Sequence, residues 1–332
     1  MIREMRKYHG FRADTIYLGG GTPSLLSEES LEMLLSALRC EFQITEDAEI
    51  TMETNPATVS REKLAHCRRI GINRLSIGVQ SLDAGELAHL GRLHSPSEAI
   101  EAIKLAKSEG VSNLSADIIY GAAKQSEESL TATVQTLCNL NVLTHISCYA
   151  LRCEEGTPFG AAQQAGEQVE ADDDRCADQY QLLCELLSQN GMSRYEISNF
   201  CHTGYESRHN LKYWQCDPYV GLGIAAHSCL QNKRFFHSNS LEDYLADPNH
   251  VEMEAILGEQ EQKAEFVIMG LRLSGGFSEQ EYESRFHSRF TDDFTVQTNR
   301  FLENGMLRYE QGRFCLAEEA VFVSNAILCE FT

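Results

Sequence analysis

No two of the twelve cysteines stand three residues apart in this 332-residue chain. There is thus no C-x-x-C pair, and no local thiol loop of the kind that holds zinc or an iron–sulfur cluster. Basic residues are scarce: 28 Lys and Arg face 49 Asp and Glu, for a formal net charge of −21. Such a surface repels phosphate backbones, so direct nucleic-acid binding is not expected. Prolines number six and tryptophan one. Low-complexity tracts, solenoid-period repeats and bilayer-length apolar runs are lacking. The opening "MIREMRKYHGFRAD" has no apolar signal-peptide core. A cytoplasmic protein with reduced thiols is the expectation, and its scattered cysteines read as small buried hydrophobes.

What is present is ordinary globular composition, 42% hydrophobic and 23% charged. Apolar strand-like runs alternate with helical patterns through the first half. "DTIYLG", "EITMETNP", "RLSIGVQS", "LSADIIYG" and "HISCYAL" read as strands. Between them lie helical stretches such as "SEESLEMLLSALRC", which sets Leu31, Leu34, Leu35 and Leu38 on one face. The helix of "SPSEAIEAIKLAKSEG" carries every start and stop signal. Ser95 caps it, Pro96 sits in the first turn, Glu98 completes a capping box and Gly110 ends it. This alternation predicts an α/β fold with a parallel sheet, as a barrel or an open sheet. From Asn249 the pattern changes to a helix, "QKAEFVIMGLRLSGG", then short helices and a final hairpin. The expected domains are 1–248 and a smaller, mostly helical 249–332.

In parallel α/β folds, ligands sit beyond the carboxyl ends of the strands. The residues there are Gly19, Gly20, Gly21 and Thr22, then Glu53 and Asn55, Gln80, Asp117, and Tyr149 with Arg152. Each alone reads equally well as a helix cap or turn residue; together they suggest a shared site. Consecutive glycines let the backbone take positive φ and approach a ligand closely. The turn is neither a Walker loop nor G-x-G-x-x-G. Glu53 suits an ammonium or ribose hydroxyls, Arg92 a carboxylate and Asp117 a ribose. Those requirements together describe S-adenosylmethionine.

"TIYLGGGTPSLL", "TMETNPATV", "RLSIGVQSLDAGELAHLGRLHS", "ADIIYG" and "SRYEISNF" followed by "GYESRHNLKYW" resemble, in that order, the radical S-adenosylmethionine heme chaperones. These are similar to the oxygen-independent coproporphyrinogen III dehydrogenases. The resemblance implies a partial (β/α)6 TIM-type barrel followed by a small C-terminal domain. Carried over by motif, Gly20, Gly21, Thr22, Glu53, Gln80, Arg92 and Asp117 would contact S-adenosylmethionine. It also implies a 4Fe-4S cluster on a C-x3-C-x2-C loop after a first barrel strand. Here Met1 to Tyr8 resembles the end of the helix that follows that loop, so an N-terminally truncated chain lacking the first strand and the cluster ligands is expected. The family's Gly-Leu-Pro-Gly-Gln-Thr turn is replaced by "GAAKQS", Gly121 to Ser126.

In this family an H-N-x-x-Y-W stretch is associated with heme. His209, Asn210, Tyr213 and Trp214 fill it here. Imidazole is a common axial ligand, and Tyr and Trp can pack a macrocycle. The same residues also suit an ordinary core with a hydrogen-bonded histidine. His227 is a weaker candidate. Three functions stay open. One is a heme chaperone that delivers heme to hemoproteins, including respiratory ones. The second is a coproporphyrinogen dehydrogenase-like oxidoreductase of porphyrin biosynthesis. The third is an inactive fragment. A homodimer and peripheral contact with membrane proteins are compatible with each.

Overall fold

The computed structural model describes residues 1–332. Two compact units divide the chain: residues 1–14, 33–48 and 207–332 form the first, and residues 15–32 and 49–206 the second.

The main sheet carries the strands read from the sequence. They are β1 (Arg12–Leu18), β2 (Gln43–Thr54), β3 (Arg74–Gln80), β4 (Asn113–Tyr120) and β5 (His145–Ala150). Two short strands, β6 (Ser193–Arg194) and β7 (Asn199–Cys201), extend it in the order β1-β2-β3-β4-β5-β7-β6. β2 to β5 pair in parallel, whereas β7 runs antiparallel to both β5 and β6. One face of β3 and β4 is apolar and buried, with Leu75, Ile77, Val79, Leu114, Ala116 and Ile118, while the alternate positions carry Ser76, Ser115 and Asp117. Helices follow the strands at Arg61–Arg69, Pro96–Ser108 and Glu127–Asn139. The capping box at Ser95 forms as expected, with Ser95 N–H donating to Glu98 Oε2 at 2.7 Å and Glu98 N–H to Ser95 Oγ at 3.3 Å. A cap of this kind contributes about 1 kcal/mol. The helix stops at Ser108, and Gly110 takes φ +83°. This is the α/β fold that the alternation of strand and helix predicts.

The first unit combines helices with two small antiparallel sheets. It holds one three-stranded antiparallel sheet, β8 (His227–Leu230), β9 (Lys233–Phe236) and β10 (Glu252–Ile256). A second joins β11 (Phe277–Ser278), β12 (Leu307–Glu310) and β13 (Arg313–Leu316). β12 and β13 are the anticipated final hairpin. The helix expected over residues 262–276 instead spans Glu259–Gly270. Its last residue, Gly270, lies against Phe277, where a Cβ would approach the ring at 2.9 Å. Gly276, at φ +55°, then turns the chain into β11. Phe290 packs edge to face on Phe277 and on Phe314, with centroids 5.0 and 4.8 Å apart. Tyr282 and Phe331 flank Phe290, so aromatic contacts dominate this core.

The first unit also buries a carboxylate. Glu4 is fully enclosed, with its Oε1 2.5 Å from His237 Nε2. It accepts from Tyr244 OH at 2.7 Å and from Gly223 N–H at 3.2 Å. Its Oε2 is thus satisfied by two donors, while Oε1 faces His237 alone.

Candidate functional site

The second unit places a polar group at the strand ends. Gly20 and Gly21 adopt φ +77° and +62°, and nothing lies within 4 Å of a Cβ built on either. The glycines are there for backbone conformation, and the space beside them is open. Gly19 is tighter: a Cβ would meet the Tyr17 ring at 2.6 Å and Glu53 Oε1 at 3.2 Å. Glu53 is held from two sides, by Tyr17 OH at 2.8 Å and Gly20 N–H at 3.2 Å. Asp117 accepts from Ser76 Oγ at 2.9 and 3.0 Å through its two oxygens. Burial pushes its carboxyl pKa up, against hydrogen bonds from Ser147 and Ser76 that pull it down. Glu53 adds a smaller upward push, so the two carboxylates share one field. Gln80 stands at φ +65°, beside a register shift between β3 and β4. A Cβ on Gly78 would lie 2.8 Å from Gln80 Nε2. A non-glycine residue in left-handed conformation at a strand end is a strained position of the kind found at binding sites.

Glu53, Asp117 and the Gly20 turn are therefore linked by contact or charge. Arg92 is exposed and forms no ion pair, and no contact ties it or Thr22 to the group. Asn55 has a local duty: its Oδ1 accepts from Ala57 N–H at 3.1 Å and caps the turn Pro56–Thr58. Arg152 pairs with Glu170 at 3.9 Å. Tyr17, Ser76 and Ser147 join the site without having been anticipated. The signal for them was faint: each is a hydroxyl residue within a strand of the main sheet, β1, β3 and β5 in turn.

The H-N-x-x-Y-W stretch lies in the first unit as the helix Arg208–Trp214. Ser207, fully buried, caps it by accepting from Asn210 N–H at 3.3 Å. Arg208 pairs with Asp47 at 3.4 Å and Asp14 at 3.9 Å, and Lys212 with Asp14 at 2.8 Å. These i, i+4 cations fix one face. The neighbouring face presents His209 and Tyr213, whose ring centroids are 5.3 Å apart, edge to face. His209 Nε2 lies 3.0 Å from Tyr213 OH. Tyr219 continues the ladder at 4.7 Å from Tyr213. Trp214 points elsewhere and carries the Arg272 guanidinium over its ring at 5.8 Å. His227 is exposed, stacked on Phe236 at 5.1 Å and 3.4 Å from Glu254 Oε2.

Comparison with known proteins separates the candidates. Residues 1–137 match the Radical SAM superfamily, and residues 257–323 match the HemN C-terminal domain. The heme chaperone HemW of Lactococcus lactis subsp. lactis (strain IL1403) is 30% identical over the whole of this chain and 88% of its own length. The chain belongs to the HemW heme chaperone family. HemW of Escherichia coli (strain K12) is 40% identical over 66% of this chain, which covers 56% of that protein. Coproporphyrinogen III oxidase from Escherichia coli shares the fold, with TM-score 0.84 at 20% identity, over 99% of this chain and 80% of that one.

As a radical SAM fold, the family implies S-adenosylmethionine and a 4Fe-4S cluster. The open glycine turn, the two carboxylates and the strained Gln80 fit the first. The second is not matched: no group of three or more His, Cys, Asp or Glu side chains comes together here to hold a metal. The cysteines stay apart, and burial pushes thiols such as Cys67, Cys138 and Cys216 up to about 11. Such groups stay protonated and make poor ligands. No helix is long and apolar enough to cross a membrane.

Proposed function

We propose that this chain is a heme chaperone, holding heme at the helix Arg208–Trp214 and passing it to hemoproteins, including respiratory ones. It acts in the cytoplasm and meets membrane-bound acceptors peripherally. The observation that carries this is the His209–Tyr213 pair, partly open to solvent on a helix that ion pairs at Arg208 and Lys212 hold in place. The heme chaperone names of the relatives support it. The H-N-x-x-Y-W stretch favours a chaperone over a porphyrinogen dehydrogenase.

Iron competes with an existing contact. His209 Nε2 is already bonded to Tyr213 OH, so ligation through Nε2 must break that hydrogen bond, worth about 1 kcal/mol. The second unit serves S-adenosylmethionine. When bound, that molecule supplies an adenosyl group and a methionyl amine and carboxylate. Glu53 takes the ammonium or ribose hydroxyls, Asp117 the ribose and Arg92 the carboxylate, while Gly20, Gly21, Thr22 and Gln80 form the wall. The small domain runs over 249–332.

Titration with hemin, followed by its Soret band, tests the heme site. His209→Ala should shift or abolish the band. Tyr213→Phe should keep its position and tighten binding up to about fivefold, the equivalent of one lost competing hydrogen bond. An unchanged spectrum and affinity in His209→Ala removes His209 as the ligand. Weaker binding by Tyr213→Phe would mean that the hydroxyl supports heme and does not compete with it.

A further inference from the structure

A pocket of about 70 Å³ opens beside the Tyr213 ring, lined among others by Tyr219, Cys216, Cys229, Arg234 and Arg285. Its charges pair off unequally. Asp217 faces Lys212 at 3.4 Å, and Glu265 is bound to Arg234. Arg285 has no carboxylate within ion-pair distance, in a chain with 49 acidic residues to choose from. Its guanidinium is nonetheless held in place. It donates to the Gln215 carbonyl at 3.1 Å and the Cys216 carbonyl at 2.8 Å, just past the end of the helix that carries His209. The Phe266 and Phe286 rings lie at 5.5 and 5.9 Å from it. Two contacts leave further N–H donors of the fork unused. The two carboxylates of the lining, Asp217 and Glu265, are each engaged by another cation, and the thiol and phenols add no further charge. Burial holds the Cys216 thiol up at about 11, against the nearby Arg285 and Arg234, and raises the Tyr213 and Tyr219 phenols. What remains is one oriented cation at the end of an aromatic ladder.

We propose that this pocket anchors a carboxylate of the bound tetrapyrrole, with Arg285 as its counter-ion and Tyr213 and Tyr219 against the macrocycle. The assignment rests on the heme reading of His209. It extends that reading from the iron to the edge of the ring: the site selects macrocycles that carry free carboxylates. A guanidinium suits a carboxylate because two parallel N–H donors match its two oxygens.

Iron-free protoporphyrin IX and its dimethyl ester, titrated by porphyrin fluorescence, separate the two ideas, because neither needs an axial ligand. The parent should bind the diacid at least tenfold more tightly than the ester. Arg285→Gln should remove most of that preference and leave ester affinity within twofold. Arg285→Lys, which keeps the charge, should fall between. Equal affinity of the parent for acid and ester overturns the proposal, as does an equal loss for both ligands in Arg285→Gln. Should Arg285→Gln unfold, the parent's preference and Arg285→Lys decide. A preserved acid preference in a protein whose hemin spectrum ignores His209→Ala would sink the His209 ligand and keep Arg285. A parent that binds neither porphyrin sinks both.

Discussion

Asp117 pays for its position with a carboxyl pKa raised by burial. In the unfolded chain it ionises near pH 4, but in the fold it does so at higher pH. The folded state thus holds the extra proton in between. Stability is full below the unfolded value and falls as pH rises toward the folded one. Asp117→Asn should therefore unfold at a higher temperature than the parent at pH 7.5, with a smaller difference at pH 4. The same change should weaken S-adenosylmethionine binding by about 1–3 kcal/mol, the usual worth of a charged hydrogen bond, measured by calorimetry. Equal affinities would place the ribose elsewhere. Residue choices of this kind were only half legible in the sequence. Glu53, Gln80 and Asp117 stood out because charged and amide groups end apolar strands. Tyr17, Ser76 and Ser147 did not, because what makes them neighbours is register. β3 and β4 align Gly78 with Asp117, and β4 and β5 align Asp117 with Ser147. Arg92 stood out for its charge, yet remains exposed with no contact to the group.

At the scale of elements, helices with strong local signals were legible. The capping box at Ser95 and the stop at Gly110 are local chemistry, independent of tertiary context. β6 to β10 were not: each is two to five residues long, and their partners are distant or antiparallel. The junction of β4, β5 and β7 shows what such pairing adds. His145, fully buried, bridges Ser115 Oγ at 2.8 Å and Tyr195 OH at 3.0 Å. Burial and the nearby Arg74 hold its pKa well below the ordinary value. A histidine neutral in the fold but protonated when unfolded removes stability as pH falls below about 6.5, by about 1.4 kcal/mol per pH unit. Urea unfolding at pH 7.5 and 5.5 should show this loss in the parent. His145→Asn should be less stable throughout and lose less on acidification. An identical loss in parent and variant would assign the pH dependence to other groups.

For the whole molecule, the order of strands and helices foretold the α/β sheet, because alternation reports connectivity directly. The two compact units were not foretold, since residues 1–14 and 33–48 join residues 207–332 across a long interval of chain. Glu4 shows why: its partners His237, Tyr244 and Gly223 are more than 200 residues away, beyond any periodic signal. The division also puts the candidate sites in different units, Glu53 and Asp117 in one, His209 and Arg285 in the other. Heme loading should then be independent of the carboxylates: Glu53→Gln with Asp117→Asn should load hemin as the parent does. Delivery of heme is visible in transfer kinetics. Hemin-loaded protein is mixed with a heme-free respiratory hemoprotein, and the Soret bands of donor and acceptor are followed together. Direct handover predicts a rate that rises with acceptor concentration and exceeds the rate of heme loss to an unrelated apo-hemoprotein. A rate independent of acceptor identity and concentration would mean that heme simply dissociates, and would contradict a chaperone function.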